Sequence, residues 1–298
     1  MELMIGIMND LLGELPFLLL AIIAVLAIGF PIADKVMTRG SSLAKALFQD
    51  DNPAAGLETG GILLALLFVS YSAISGESMG TLTQDITTTG LAILLSIVAI
   101  TIAREILGAL VQAFNGGKNL NDEIFNQQNM AGAAVSLAMT MAVVNGITEE
   151  DMLGEMPLHD GMIALTVMGA GLLAIILYKF THLRGASFLE EFFADDNPAA
   201  GVSLLGFAFA VNLLVSHVTD TVRDTDMATM DACIGLLATA LALMISLAIL
   251  RVLVMVGINK MLSANLHDEL FEQNNVGAGF IDAGLTLGCA FLLVSALG

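Results

Sequence analysis

Long, continuously apolar runs alternate along this chain with short polar stretches. They fall near residues 13–33, 53–75, 87–110, 131–147, 161–179, 198–216, 232–257 and 277–297. About 20 apolar residues suffice for a helix to cross a bilayer, so the pattern predicts eight transmembrane helices. The fourth run is the shortest, which places its cap below the membrane surface. The runs are rich in Leu, Ala and Met and lack the strict alternation of a membrane barrel. Before the first run stand Glu2, Asp10 and Glu14 with no Lys or Arg, so that run reads as a span and not as a cleaved signal peptide.

Composition agrees with this reading. Of 298 residues, 57% are hydrophobic and 13% charged, whereas soluble domains run at about half apolar and about a quarter charged. Ten basic residues against 29 acidic ones give a net charge of −19, which would repel a nucleic acid. Two cysteines are too few for a disulfide framework and lack metal-ligand spacing.

The few cations are segregated. Lys35, Arg39 and Lys45 follow the first run; Arg104 and Lys118 close the third; Lys179 and Arg184 follow the fifth; Arg251 and Lys260 close the seventh. Positive residues favour the cytoplasmic side, so these loops are expected inside and both termini outside. The opposite loops carry fourteen acids (Glu2, Asp10, Glu14, Glu77, Asp85, Glu149, Glu150, Asp151, Glu155, Asp160, Asp220, Asp224, Asp226 and Asp231) against the single Arg223. They are either what remains where cations are excluded or a field that gathers cations at an entrance.

The chain repeats itself. LFQDDNPAAG at 47–56 returns as FFADDNPAAG at 192–201, and NDEIF at 121–125 returns as HDELF at 267–271. Two copies, over 1–147 and 148–298, account for the whole length. Within each copy a weaker repeat places Asn52, Asn129, Asn197 and Asn275 four residues after Phe48, Phe125, Phe193 and Phe271, with small residues following. The unit is thus a two-span hairpin used four times, always in the same orientation. The expected fold is all-α and polytopic, eight helices from four hairpins in two parallel pseudo-repeats, unlike the inverted repeats of many transporters.

The motif has a structural logic. Asn is a favoured N-cap and Pro53 and Pro198 suit the first helical position. Asp50, Asp51, Asp195 and Asp196 lie at the positive end of the helix dipole. Small residues allow close helix approach, and Phe48 with its equivalents would anchor a surface segment in the interface. Four clustered helix starts could also hold an anion, though the adjacent aspartates oppose one.

The duplicated hairpin, F-x-x-D-N-P-A-A-G and its later F-x-x-x-N-x-[AG]-[AG] form resemble the YjfL-type family of bacterial inner-membrane proteins, which carry a domain of unknown function. The resemblance spans both halves, and this chain looks like a double-length version. It implies a plasma-membrane location and a link to envelope stress. It supplies no reaction, substrate or catalytic residue.

Two carboxyls fall within spans. Glu58 and Asp282 lie six and seven residues past Asn52 and Asn275, roughly 9–10 Å inside their helices. Their repeat counterparts are Ser203 and Ser136, so the acids are not part of the common scaffold. A charge in the bilayer costs about 2.5–3.5 kcal/mol even on an insertion scale and demands compensation. Arg104 and Arg251 are the candidate partners, with Glu105 able to serve Arg104 locally. The acids then form structural bridges or are protonated, line a polar cavity that exchanges a proton or cation, or are interfacial. If the hairpins close into a ring, the two acids could face each other and share a proton.

Other signals are weaker. Gly56 with Gly60 and Gly284 with Gly288 form G-x-x-x-G pairs that ordinarily report close packing. Thr59, Ser136, Ser203 and Asn212 read as partners of helix carbonyls or of a neighbouring helix. Met227, Met230 and Cys233 could touch Cu(I) but read as packing, and the four histidines are too scattered for a metal set. No hydrolase, P-loop, zincin or C-x-x-C motif is present. The expectation is a non-enzymatic inner-membrane protein without a cofactor, either ion-linked or a scaffold that supports envelope integrity. Its surroundings are the lipid bilayer, and its small-residue faces would permit a homo-oligomer or a membrane partner; nucleic acid is excluded.

Overall fold

The computed structural model of the chain describes residues 42–75, 82–148, 157–183, 187–223 and 227–297, with scattered positions between 19 and 35. All regular elements among them are helical: α1 (Leu43–Phe48), α2 (Pro53–Ser75), α3 (Leu82–Phe114), α4 (Met130–Thr148), α5 (Pro157–Thr181), α6 (Pro198–Arg223), α7 (Thr229–Leu262), α8 (Leu266–Phe271) and α9 (Val276–Leu297). Short π-helical turns occupy Val25–Gly29, Asp122–Asn126 and Glu190–Ala194. Seven helices, α2 to α7 and α9, are long and apolar enough to cross a membrane. The span expected near 13–33 lies mostly outside the described residues, as do most of the acidic loop positions between 76 and 81, 149 and 156, and 224 and 226.

Each inner helix starts in the same way. The residue before the motif asparagine has a left-handed backbone: φ is 48° at Asp51, 59° at Gln128, 46° at Asp196 and 51° at Asn274. Asp and Asn tolerate that region better than most residues because their short polar side chains bond locally. The chain turns there, and the asparagine side chain then caps the helix. Asn52 Oδ1 accepts from Ala55 N at 2.9 Å, Asn129 from Gly132 N at 2.6 Å, Asn197 from Ala200 N at 3.0 Å and Asn275 from Gly277 N at 3.0 Å.

The asparagine amide reaches further. Asn52 Nδ2 donates to the Ile124 and Phe125 carbonyls, Asn129 Nδ2 to the Phe192 carbonyl and Asn197 Nδ2 to the Leu270 carbonyl. Each of these three helix starts is therefore stapled to the linker of the next unit, which gathers the linkers at one end of the bundle. A glutamate supports three of the four: Glu123, Glu191 and Glu269 each accept from the asparagine of their own unit at 2.8–3.0 Å. The first unit has Ala46 at that place. Burial pushes the Glu191 carboxyl above the ordinary carboxylate range, as do Asp195 and Glu190, while the Asn197 bond opposes them.

The expected interfacial role of the motif phenylalanines fails for two of them. Phe125 and Phe193 are buried in the protein, whereas Phe48 is exposed. The reason is the row in which the helices stand. α2 packs on α4, α4 on α6 and α6 on α9, while α3, α5 and α7 lie in the outer angles between neighbours. An inner helix covers the linker that follows it, so Phe125 and Phe193 sit beneath α2 and α4, and α1 packs on α2.

Close approach within the row rests on glycines at fixed places. A Cβ at Gly201 would stand 3.1 Å from Ala131 Cα, one at Gly279 2.7 Å from the Ala199 carbonyl oxygen, and one at Gly206 would collide with Ala283. In lipid, such backbone proximity supplies the dispersion contacts that drive association. The G-x-x-x-G pairs behave differently from expectation. A Cβ at Gly60, Gly284 or Gly288 would meet nothing within 4 Å, and one at Gly56 only Leu47 at 3.9 Å. These glycines lie on α2 and α9, the two ends of the row, beyond which no further inner helix stands among the described residues.

Candidate functional site

Both intramembrane acids are buried, and each has its own arginine. Arg104, on α3, donates from Nε to Glu58 Oε1 at 2.8 Å and from Nη2 to Oε2 at 3.3 Å. Ser136, on α4, donates to the same Oε1 at 2.6 Å. Three helices thus converge on one carboxylate, and Arg104 is bidentate to Glu58.

The second centre lies between α6, α7 and α9. Arg251 donates from Nε to Asp282 Oδ1 at 2.8 Å, with Nη2 also 2.5 Å from that oxygen. Ser203 donates to Oδ2 at 2.5 Å. Glu58 and Asp282 therefore do not share one site: the structure joins each to an arginine from the neighbouring outer helix and to the serine of the neighbouring inner helix.

The two centres are related by an exchange. In the first half the acid stands six residues after the capping asparagine on the earlier helix, and the serine seven residues after it on the later helix. In the second half the serine holds the earlier position and the acid the later one. The arginine keeps its place. One carboxylate, one hydroxyl and one guanidinium are thus retained between paired inner helices with the acid on opposite sides. At the α4–α6 contact the corresponding residues, Val135 and Leu204, are apolar.

Among the described residues, the second centre extends further. The Tyr178 hydroxyl, on α5, reaches Ser203 Oγ at 2.8 Å and the Ala200 carbonyl at 3.2 Å. His182 stacks on the Tyr178 ring with centroids 4.2 Å apart, and its Nε2 lies 3.8 Å from Asp282 Oδ2. Its Nδ1 lies 2.7 Å from Thr181 Oγ1. Phe207 closes the edges of both rings. Tyr178, His182, Ser203, Arg251 and Asp282 are all buried, so an imidazole stands beside an ion pair shielded from solvent. Sequence reasoning passed over Tyr178 and His182 because a tyrosine and a histidine at a span end ordinarily face the interface. It also passed over Glu123, Glu191 and Glu269, although each stands two residues before a motif phenylalanine.

The capping residues Asn52, Pro53, Asn129, Asn197, Pro198 and Asn275 form the linker end described above and are separate from the two acid centres. One aspartate of the motif caps a helix other than its own: Asp196 Oδ1 accepts from Ala131 N, at the start of α4, at 3.4 Å. Burial raises its carboxyl above the ordinary aspartate value against the backbone bonds from Ala131 and Met130, and nearby Glu123 raises it further. Among the described residues no group of three His, Cys, Asp or Glu side chains is placed to hold a metal.

No curated protein and no solved structure matches the chain. A family model does, twice in tandem, over residues 7–148 and 151–297, so that each match contains one acid centre. With nearly its whole length covered, the chain belongs to the family defined by the Domain of Unknown Function DUF350, of which it carries two copies.

Proposed function

We propose that this is a non-enzymatic, ion-linked protein of the bacterial inner membrane, in which the Asp282 centre exchanges a proton. The proposed architecture is eight spans in four parallel hairpins with both termini outside the cytoplasm. The orientation rests on the segregation of nine of the ten basic residues. The functional reading rests on one observation: Asp282 already has Arg251 on Oδ1 and Ser203 on Oδ2, yet His182 Nε2 also stands 3.8 Å from Oδ2. Neutralising a buried carboxylate requires no further partner, and among the described residues the Glu58 centre has only its arginine and serine.

The chemistry is simple. A proton arriving on His182 creates an imidazolium beside Asp282, which then has two cations competing for it. Closing the 3.8 Å gap would loosen Arg251, and release of the proton would restore the resting pair. Arg251, Asp282 and Ser203 come from three helices, so a change of partner is felt as a change of packing among α6, α7 and α9. The Glu58 centre, complete with one arginine and one serine, is the fixed counterpart.

Proton, Na⁺ and K⁺ flux into proteoliposomes tests this. Flux that is lost in Asp282→Asn and retained in Glu58→Gln is the expected result. Absence of flux above empty liposomes for all three ions would overturn it. The second reading, a scaffold or partner-binding protein that supports the envelope, is favoured by the self-contained Glu58–Arg104–Ser136 bridge and gains from that negative result.

A further inference from the structure

The row α2–α4–α6–α9 ends without closing, and its two ends match. At the contact between the halves, Asn129 Nδ2 donates to the Phe192 carbonyl at 3.0 Å, Asp196 accepts from Ala131 N, and Gly201 lets α6 approach Ala131 and Ala134. The duplication carries every one of these residues to a free end. Asn129, Ala131 and Ala134 correspond to Asn275, Gly277 and Phe280 on α9. Phe192, Asp196 and Gly201 correspond to Leu47, Asp51 and Gly56 at α1–α2.

The free ends have the character of an unfilled contact. Asn275 Nδ2 bonds to Glu269, as Asn129 does to Glu123, but among the described residues it reaches no later linker. Phe48 is 79% exposed where Phe193 is 3% exposed, and among the described residues no inner helix precedes α2. Only 22% of the α9 span is buried, against 89% of the α4 span. Phe280 stands 66% exposed on α9, and Gly56 on α2 offers it space. Asp51, like Asp196, has a left-handed backbone, and the start of α9 offers the positive end of a helix dipole.

We infer that copies of this chain associate head to tail, α9 of one copy receiving the α1–α2 end of the next in the geometry by which α4 receives α6. The contact is heterologous, so it makes a ring if the rotation closes and a chain if it does not. Asn275 then donates to the Leu47 carbonyl of the neighbouring copy, Asp51 of that copy caps α9, and Phe280 lies over its Gly56. This inference is independent of ion flux, since neither acid centre lies at the proposed contact.

Disulfide trapping in the native membrane tests it. Copies carrying Gly56→Cys are co-expressed with copies carrying Phe280→Cys, and Cys233 and Cys289, both buried, set the background in the unmodified chain. The expected result is a dimer band in the mixture, a ladder in the double variant, and neither variant cross-linking when expressed alone. Cross-linking of one variant with itself would indicate a two-fold contact and overturn the head-to-tail arrangement. Should the variants fail to fold, the unmodified chain in nanodiscs wide enough for several copies is decisive: a mass of more than one copy, reduced to one by Gly277→Trp, supports the inference, and a single copy overturns it.

Discussion

Ser203 donates to Asp282 from the very helix position that Glu58 occupies in the first half, six residues past the capping asparagine. The exchange of acid and serine between neighbouring helices preserves what Arg104 and Arg251 require. It follows that the carboxylate matters at each centre while the helix that carries it is negotiable.

Replacing Glu58 with Ser leaves Arg104 buried without its carboxylate, and is expected to destabilise the protein by about 3–5 kcal/mol. Adding Ser136→Asp, which copies the second-half arrangement into the first, should recover most of that loss. Thermal unfolding in one detergent, comparing the single and double variants, reads the difference. Equal losses in both would show that the helix position itself is essential.

Asn129 holds three contacts at once: its own helix start, Glu123 and the Phe192 carbonyl. Asn129→Ala should cost about 1–3 kcal/mol, because the buried Glu123 and a linker carbonyl lose their donor. Asn275→Ala, on an exposed residue without a later linker, should cost nearer the ~1 kcal/mol of an ordinary cap in the detergent-dispersed single chain. Equal effects on denaturant midpoints would contradict the staple.

Gly206 faces Ala283 and Gly284 faces open space. Gly206→Ala must force α6 and α9 apart, at about 1–3 kcal/mol. Gly284→Ala should leave the melting temperature of the dispersed chain unchanged or slightly raised, since Ala favours a helix over Gly. The pair separates glycines that serve packing within the chain from those that do not.

The Asp196 carboxyl, outside the spans, is held above its ordinary value chiefly by burial. The folded protein therefore takes up this proton more readily than the unfolded chain, and its stability gains as pH falls from above the folded value toward the ordinary one. Relative to Asp196→Asn, the wild-type melting temperature should rise as pH is lowered from about 7 to about 4. A difference that stays flat or falls would refute the assignment.

Much of this was legible because apolar length and helix capping are local properties. The seven described spans begin and end within a few residues of the apolar runs, and the four asparagines mark the inner-helix starts. The runs understate α6, which continues to Arg223 through His217, Thr219 and Asp220, because backbone hydrogen bonding persists where hydropathy fades. The candidate acids and arginines were visible as charges in apolar runs, but their pairing depends on which helices are neighbours. Hydropathy carries no such information. Tyr178 and His182 were missed for the same reason, since they reach Ser203 and Asp282 across helix contacts and not along the chain. Likewise, G-x-x-x-G spacing marks a smooth face without saying whether that face is covered.

The staples also impose an order on biosynthesis. Asn52 is bonded to the carbonyls of residues 124 and 125, and Asn197 to that of residue 270. Each acceptor is translated some seventy residues after its donor, a delay of roughly 4–14 s at ribosomal speeds of about 5–20 residues per second. During that interval the newly inserted helix carries an amide still waiting for its acceptor, and emergence of the next linker locks it. The bundle is thus secured from its first unit to its last, in the direction of synthesis.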